Sequence, residues 1–273
     1  MSVQQWPHAE PRLIGRVAVV TGSSSGHGRA IALRLAREGA DVLCLDLRKE
    51  ALQGGFEADL DIDTDDLIRS HGRGAEFVTA DVTVPEQLEA AAARAVEAFG
   101  RLDIWVNNAG VSLGFASILD EPDATYEKTF DINVKGTWNG ARAAVRQMVK
   151  QEPLGRSRGR IVNIGSCAGT LGQADLSSYS AAKGAVHHLT RALAIELAPS
   201  LINVNTVAPG YFPTAMNREL WDDPKELARV QSMHPLPLGV PDDIAAAVAF
   251  LSTEDAAFIT GATVPVDGGM TVD

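Results

Sequence analysis

Short runs of apolar residues alternate along the chain with segments in which apolar positions recur at helical spacing. Seven of the runs predict β-strands, at residues 17–21, 42–46, 76–80, 104–107, 160–164, 202–207 and 263–266. Several are apolar at successive positions rather than at every second one, as is typical of parallel strands buried on both faces. The pattern therefore favours a sheet that is covered by helices on both sides.

The segment between the third and fourth predicted strands shows the helical pattern most clearly. Its apolar face consists of Leu88, Ala92, Val96 and Phe99. Pro85 is suited to the first helical turn, and Gly100 to the residue after the last one. Such strand–helix–strand units, repeated with right-handed crossovers, predict an α/β fold: a single doubly wound Rossmann domain with a mostly parallel, seven-stranded sheet.

No repeat, linker or shift in composition divides the chain, so residues 1–273 are predicted to form one domain. Residues 1–14 are expected to be a loose leader before the first strand. Residues 211–237 are rich in proline and bulky side chains and lie between the last two predicted strands. This second segment is predicted to form a lid over a binding site.

Composition and charge restrict the class of protein. The 273 residues are 45% hydrophobic and 22% charged, with a formal net charge of −11, which fits a globular protein with a substantial core. An acidic chain argues against nucleic-acid partners and against docking on anionic membranes, and no apolar run reaches the ~18 residues of a membrane span. Because there is no secretory segment, and Cys44 and Cys167 lack metal-ligand spacing, the protein is expected to be cytoplasmic and metal-free.

A glycine-rich turn follows the first predicted strand and opens a helical segment. Its glycines, Gly22, Gly26 and Gly28, have the spacing T-G-x-x-x-G-x-G. Glycine lets the backbone approach a pyrophosphate closely at the N-terminus of a helix. Asp46, at the end of the second predicted strand, is suited to accept hydrogen bonds from an adenosine ribose. Together they favour a dinucleotide site over a turn that is needed only for packing.

Two other motifs overlap these segments. G-S-S-S-G at 22–26 matches the nucleophile elbow of serine hydrolases, with Ser24 as the nucleophile. Because that pattern explains neither the third glycine nor the carboxylate, it is kept only as an alternative. A calcium-loop spacing is found at Asp59, Asp61, Asp63 and Asp65. Thr64 and Ser70 replace the glycine and glutamate that such a loop requires, so a solvated acidic segment is favoured.

A further chemical motif is Y-S-A-A-K at residues 179–183. Tyr179 and Lys183 are four positions apart and would share one face of a helix. A phenol ordinarily ionises near pH 10, and a neighbouring ammonium lowers that pKa. The pair is therefore a candidate proton donor and acceptor, although surface composition alone could also produce it.

Taken in order, these and other short motifs resemble the short-chain dehydrogenase/reductase family along nearly the whole chain. The matching stretches are TGSSSGHG at 21–28, Asp46, ADVT at 80–83, NNAG at 107–110, INVKG at 132–136, Ser166 in VNIGS, YSAAK at 179–183 and PG at 209–210. Their joint order and spacing carry the resemblance, since each stretch is short. The resemblance implies hydride transfer between a nicotinamide cofactor and an alcohol or carbonyl carbon.

The resemblance also implies the catalytic residues. Tyr179 would be the general acid/base on the substrate oxygen, and Ser166 would donate a hydrogen bond to that oxygen. Lys183 would bind the nicotinamide ribose and lower the pKa of Tyr179. Asn133 would hold a water chain that supplies protons to Lys183.

The cofactor would contact the glycine-rich turn, the ends of the second and third predicted strands, and the loops after the fourth and sixth. The implied residues are Gly22, Ser24, Ser25, Gly26, His27, Gly28, Asp46, Leu47, Asp81, Val82, Asn108, Ala109, Gly110, Tyr179, Lys183, Pro209, Gly210, Phe212 and Thr214. His27 stands where relatives usually have an aliphatic residue, and packing is its expected role. Asn107 is expected to be structural and to bridge neighbouring strands.

The carboxylate of Asp46 would repel the 2′-phosphate of NADP, and neither Ser25 nor Leu47 is basic. NAD is therefore the expected cofactor, and oxidation of an alcohol is the favoured direction. The predicted substrate is a secondary alcohol or its ketone, such as a sugar, a polyol or a similar small hydroxy compound. Substrate contacts are expected from Ser112, Ser166, Gln173, Tyr179 and Met216.

Two alternatives stay open within this resemblance. An NADPH-dependent reductase of 3-oxoacyl thioesters would use a basic docking patch, for which Arg156, Arg158 and Arg160 are the candidates. A non-catalytic dinucleotide-sensing protein would not need the serine, tyrosine and lysine together. The resemblance also implies assembly into a homotetramer or homodimer, with a small molecule as substrate.

Overall fold

The computed structural model describes residues 10–57 and 59–272. Within them, seven strands form one parallel sheet in the order β3–β2–β1–β4–β5–β6–β7. The strands are β1 Val17–Thr21, β2 Asp41–Asp46, β3 Ala75–Thr79, β4 Ile104–Asn107, β5 Gly159–Ile164, β6 Ile202–Pro209 and β7 Thr263–Val266. The predicted fold class is confirmed, and the predicted bounds differ by one or two residues at the ends of four strands.

Helices connect the strands of the described chain. They are α1 Gly26–Arg37, α2 Thr64–Ser70, α3 Pro85–Phe99, α4 Asp123–Phe130, α5 Gly136–Met148, α6 Ser177–Leu197, α7 Arg218–Asp222, α8 Pro224–Ser232 and α9 Pro241–Ser252. A π-helical turn, Asp131–Lys135, joins α4 to α5. As predicted, Pro85 begins α3, and Gly100 follows its last residue with a φ of 89°. No described helix is both long and apolar enough to cross a membrane.

Two hydrophobic layers cover the sheet, one on each face. On one face, α1 and α9 pack together through residues such as Ile31, Leu35 and Val248. On the other face, α3, α5 and α6 bury Leu88 and Trp105 among many alanines. Burial on both sides explains the continuous apolar runs of the central strands.

The strand order reverses between β1 and β4, because β2 lies beside β1 on one side and β4 beside it on the other. The loops after these two strands therefore leave the sheet in opposite directions. In parallel sheets of this kind, the crevice that opens at the carboxyl ends of the strands is the usual ligand site.

The two segments predicted to be irregular are both structured where they are described. Residues 1–9 of the predicted leader lie outside the described part of the chain. Leu13 is buried and its N–H donates to the Glu38 carbonyl at 2.6 Å, while Arg12 pairs with the Glu38 side chain at 2.8 Å. The end of the leader is thus held at the end of α1 rather than loose. The predicted lid, 211–237, contains α7 and α8.

Candidate active site

A cleft of about 1680 Å³ lies at the carboxyl ends of the strands, between the sheet and the 211–237 segment. It brings together all the site residues that the sequence predicted except Gly28 and Asn133, which lie outside its lining. The cleft is also lined by Glu50, Phe115, Glu226, Arg229 and Met233, which the sequence did not single out as site residues. No local motif marks these side chains, because they reach the cleft only through the fold.

The glycine-rich turn between β1 and α1 has a backbone that only glycine accommodates. Gly22 and Gly26 have φ angles of 66° and 54°, in the left-handed region. A Cβ atom on Gly28 would lie 1.9 Å from the Gly22 carbonyl oxygen. The side chain of Asn108 donates to the carbonyls of Thr21 and Gly22 at 2.9 and 3.1 Å. The turn is therefore a fixed cradle that opens onto the N-terminus of α1.

Asp46 lies at the end of β2 and faces this turn. Its carboxylate accepts hydrogen bonds from the backbone N–H groups of Ser24, at 3.1 Å, and Leu47, at 2.7 Å. The hydroxyl of Ser24 donates to the Arg48 carbonyl at 2.7 Å. The Ser24 hydroxyl thus donates to a backbone carbonyl rather than to a basic side chain, so the hydrolase alternative does not fit the geometry.

The first two turns of α6 carry Tyr179 and Lys183. The Lys183 amine lies 5.7 Å from the centre of the Tyr179 ring. It donates a hydrogen bond to the Ile164 carbonyl, at the end of β5, at 2.9 Å. Ser166, two residues after β5, lies beside the Tyr179 side chain and acts to lower its pKa, against the larger effect of burial. The phenol, the hydroxyl and the amine therefore meet on one wall of the cleft.

Burial controls the protonation of this group. It raises the pKa of Tyr179 to about 12 and lowers the pKa of Lys183 to about 8, because each charged form loses its hydration. The expectation that Lys183 lowers the pKa of Tyr179 is not met in this structure, where desolvation dominates the tyrosine. Both groups are perturbed in the way that is common at catalytic sites.

Asn133 lies in the π-helical turn behind the cleft. Its side-chain amide donates to the Val111 carbonyl at 2.9 Å and accepts from the Val111 N–H at 3.1 Å. A Cβ atom on Gly110 would lie 2.6 Å from the Asn133 side-chain oxygen and 3.5 Å from the Lys183 amine. Asn133 therefore fixes the loop that separates it from Lys183, and the predicted water chain between them stays a prediction.

His27 lies in the glycine-rich turn, with its ring edge-on to Phe212 at a centroid distance of 5.4 Å. Burial, and secondarily the charge of Lys183, lower the pKa of His27 to about 4. Its Nε2 atom is buried and has no hydrogen-bond partner among the described residues. A buried polar atom without a partner beside a glycine cradle fits a site that is completed by a bound dinucleotide.

The outer part of the cleft mixes polar and apolar groups. The Tyr211 hydroxyl donates to the Gln173 side chain at 3.2 Å. Leu113, Phe115 and Met216 also line this region, and they are 42, 53 and 54% exposed. A substrate here would meet one hydrogen-bonding wall and one apolar wall.

Two predicted charge features lie elsewhere. Lys49 is within 3.4 Å of Asp63 and Asp65 and 2.9 Å of Asp66, so an ammonium lies among the carboxylates of the acidic segment. The candidate thioester-docking arginines lie at the opposite end of the sheet, where Arg160 is 1% exposed and pairs with Glu254 at 3.0 Å. The hypothesis that these arginines form a basic docking patch beside the cleft is therefore wrong, because they lie at or before the amino end of β5 and the cleft lies at the carboxyl ends of the strands.

Comparison with known proteins agrees with the fold. A family model described as enoyl-(acyl carrier protein) reductase matches residues 22–271. The chain is 38% identical to the (−)-trans-carveol dehydrogenase of Rhodococcus erythropolis, over 96% of this chain and 99% of that one. It is 36% identical to the 3-oxoacyl-[acyl-carrier-protein] reductase of Vibrio cholerae, over 94% and 98%.

The crystal structure of carveol dehydrogenase from Mycobacterium avium in complex with NAD superposes with a TM-score of 0.85 at 34% identity, covering 96% of this chain and all of that one. The doubly wound fold is thus shared with proteins that are named dehydrogenases and reductases. The chain belongs to the short-chain dehydrogenase/reductase family and is an oxidoreductase.

Proposed function

We propose that this enzyme oxidises a secondary alcohol to a ketone with NAD, the alcohol being a sugar, a polyol or a similar small hydroxy compound. The observation that carries the proposal is the convergence of Ser166, Tyr179 and Lys183 on one wall of the cleft that the glycine-rich turn opens into.

The proposed mechanism assigns one task to each side chain. Tyr179 accepts the proton of the substrate hydroxyl, and Ser166 donates a hydrogen bond to the substrate oxygen as its charge changes. Lys183, whose pKa burial lowers to about 8, can exchange protons near neutral pH. A nicotinamide bound beside these residues would supply the acceptor for the hydride of the carbinol carbon.

The choice of NAD over NADP depends on Asp46. Its carboxylate is held in place by two backbone N–H groups at the end of β2, where the adenosine ribose of a bound dinucleotide is expected. A fixed negative charge there favours a free ribose hydroxyl over a 2′-phosphate. The carveol dehydrogenase of Mycobacterium avium, which has the same fold, was crystallised with NAD.

The polar wall of the cleft supports a hydroxylated substrate. Gln173 and Tyr211 are already joined by a hydrogen bond, so a second substrate hydroxyl can join a network whose members are in place. Ser112 also lines this region.

A compact alicyclic alcohol is the second candidate, because Leu113, Phe115 and Met216 form an exposed apolar wall opposite the polar one. Burying such a wall against a hydrocarbon ring is favourable at ~25 cal/mol per Å² of apolar surface. The 38% identity to a carveol dehydrogenase supports the same class.

The test is to measure NADH formation with a panel of sugars, polyols and alicyclic secondary alcohols. Turnover of at least one class with NAD is expected, and Tyr179→Phe should lower kcat about 10³-fold, since it removes the acid/base group. The variant should still bind NADH, which separates loss of chemistry from loss of the site. Full activity in Tyr179→Phe, or turnover confined to thioesters with NADPH, would contradict the proposal.

A further inference from the structure

The chain after β2 folds back over the glycine-rich turn. In this flap, residues 50–57, the backbone N–H of Leu52 donates to the Ser25 hydroxyl at 2.6 Å. The Glu57 carboxylate accepts a hydrogen bond from the backbone N–H of Gly26, the first residue of α1. The second carboxylate oxygen of Glu57 is buried and has no hydrogen-bond partner among the described residues.

This contact places an anion where the fold would bind another one. The N–H groups at the start of α1 point out of the helix, and the helix dipole favours negative charge there. A dinucleotide bound to the glycine cradle would present its diphosphate to the same groups. Since one N–H cannot fully serve two acceptors, the Glu57 carboxylate and the diphosphate exclude each other at Gly26.

Further contacts hold the flap against the 211–237 segment. The Arg218 guanidinium donates to the Gly54 carbonyl at 3.0 Å and lies 4.5 Å from the centre of the Phe56 ring. Phe56 also meets Trp221 of α7 edge-on, at a centroid distance of 6.2 Å. The flap and α7 thus close together over the glycine-rich turn.

The chain that follows the flap is anchored by α1 itself. Arg29 is 2% exposed, and its guanidinium donates to the Asp59 carbonyl at 2.7 Å and to the Thr64 hydroxyl at 3.2 Å. Asp59 is two positions from Glu57, so this anchor limits how far Glu57 can lie from the turn. A tethered carboxylate has a high effective concentration at the N–H group and competes strongly with a free ligand.

We propose that Glu57 is a built-in competitor of the cofactor diphosphate, and that cofactor binding displaces its carboxylate from Gly26. The proposal rests on the proposed function only in that it requires a dinucleotide at the glycine-rich turn. Glu57 then sets the affinity and the association rate of the cofactor and takes no part in proton or hydride transfer.

The test compares NADH binding by the wild type, Glu57→Gln and Asp61→Asn, each confirmed as folded by circular dichroism. Asp61 is an exposed carboxylate of the adjoining segment, so its variant loses the same charge without touching Gly26. Glu57→Gln should lower the Kd of NADH about fivefold, since a neutral acceptor competes less well than a charged one. Asp61→Asn should change it less than about twofold.

Stopped-flow measurements and ligand fragments sharpen the result. The gain for Glu57→Gln should lie in the association rate constant, and ADP-ribose should gain as much as NADH, whereas adenosine, which has no phosphate, should gain nothing. Unchanged or weaker NADH binding overturns the proposal, as does an equal gain for Asp61→Asn or for adenosine. Failure of the wild type and both variants to bind NADH would instead contradict the proposed function.

Discussion

The two ends of the sheet differ in whether their buried ionisable side chains are paired with an opposite charge. At the amino ends of the strands, Arg16 pairs with Asp103 at 3.2 Å and with Glu254 at 2.7 Å, and Arg160 pairs with Glu254 at 3.0 Å. At the carboxyl ends, no opposite charge among the described residues contributes to the pKa values of Tyr179 and Lys183, which shift mainly through burial for the tyrosine and through burial for the lysine. We expect the paired charges to stabilise the fold, and we propose that the buried groups without such pairing carry the chemistry.

The pKa values express the same difference. At the amino ends, burial opposes the ionised form of Glu254, yet hydrogen bonds from Arg160 and the Arg156 backbone lower its pKa, so it stays charged. At the carboxyl ends, burial raises the pKa of Tyr179 to about 12 and lowers that of Lys183 to about 8. Stability is therefore expected to depend on the first set of residues and reactivity on the second.

The largest effect on stability is expected at Asp103, whose side chain is fully buried. Asp103→Ala should lower the free energy of unfolding by about 3–5 kcal/mol, because it removes a fully buried carboxylate that binds both the Arg16 guanidinium and the Val17 N–H. Urea denaturation measures the loss. The activity of the protein that remains folded should be unchanged at low temperature.

The matched control is Glu89→Ala, which breaks an exposed ion pair with Arg146. It should cost less than about 1 kcal/mol, since exposed pairs contribute little. If Asp103→Ala cost no more than this control, the assignment of the amino end to stability would be wrong.

Lys183→Met should change the free energy of unfolding in the opposite direction to Asp103→Ala. With a folded pKa of about 8 against an ordinary 10.5, the unfolded lysine binds a proton between pH 8 and 10.5 that the folded one does not, so wild-type stability rises with pH in that window. At pH 7 the methionine variant should be more stable by about 1–2 kcal/mol, after the lost hydrogen bond to the Ile164 carbonyl is allowed for.

This advantage should shrink as the pH rises from 8 to 10.5. Unfolding by urea at several pH values, compared between the two proteins, measures it. Tyr179, with its raised pKa, favours unfolding only above pH 10 and is common to both, so it cancels in the difference. A pH-independent difference would contradict the buried, uncompensated lysine.

The smallest effect is expected at Asp46. Asp46→Asn keeps the shape of the side chain and removes its charge, so the ratio of kcat/KM for NADP to that for NAD should rise about tenfold, from roughly 1.4 kcal/mol of lost repulsion. Steady-state kinetics with both cofactors test this. An unchanged ratio would show that another group sets the cofactor preference. A loss of stability as large as that of Asp103→Ala would contradict the assignment of stability to the amino ends of the strands.

The sequence allowed prediction of the features that local patterns encode. The apolar runs located the strands, Pro85 and Gly100 bounded α3, and the expected strand bridge is confirmed, since Asn107 donates to Asn163 at 2.8 Å. The short motifs also identified most of the side chains that line the cleft.

Contacts between distant residues could not be predicted in this way. Arg16 and Asp103 are 87 positions apart in the sequence. Gly26 and Glu57 are 31 positions apart, and the acidic composition of the chain that begins at Glu57 suggested only a solvated segment. The raised pKa of Tyr179 was missed because it depends on burial, which a motif does not show. Pairing and desolvation are properties of the fold, so they become visible only with it.

Because Asp131–Lys135 forms a π-helical turn, the contacts of Asn133 depend on the exact number of residues in this segment. A π-turn holds one residue more than an α-turn, and here it directs the Asn133 amide onto both peptide groups of Val111. Deleting a single residue would restore ordinary pitch, swing that amide by about 100° and shift the register of α5 against β4 and β5. A variant of this chain shortened by one residue at this point is therefore expected to lose both contacts between Asn133 and Val111.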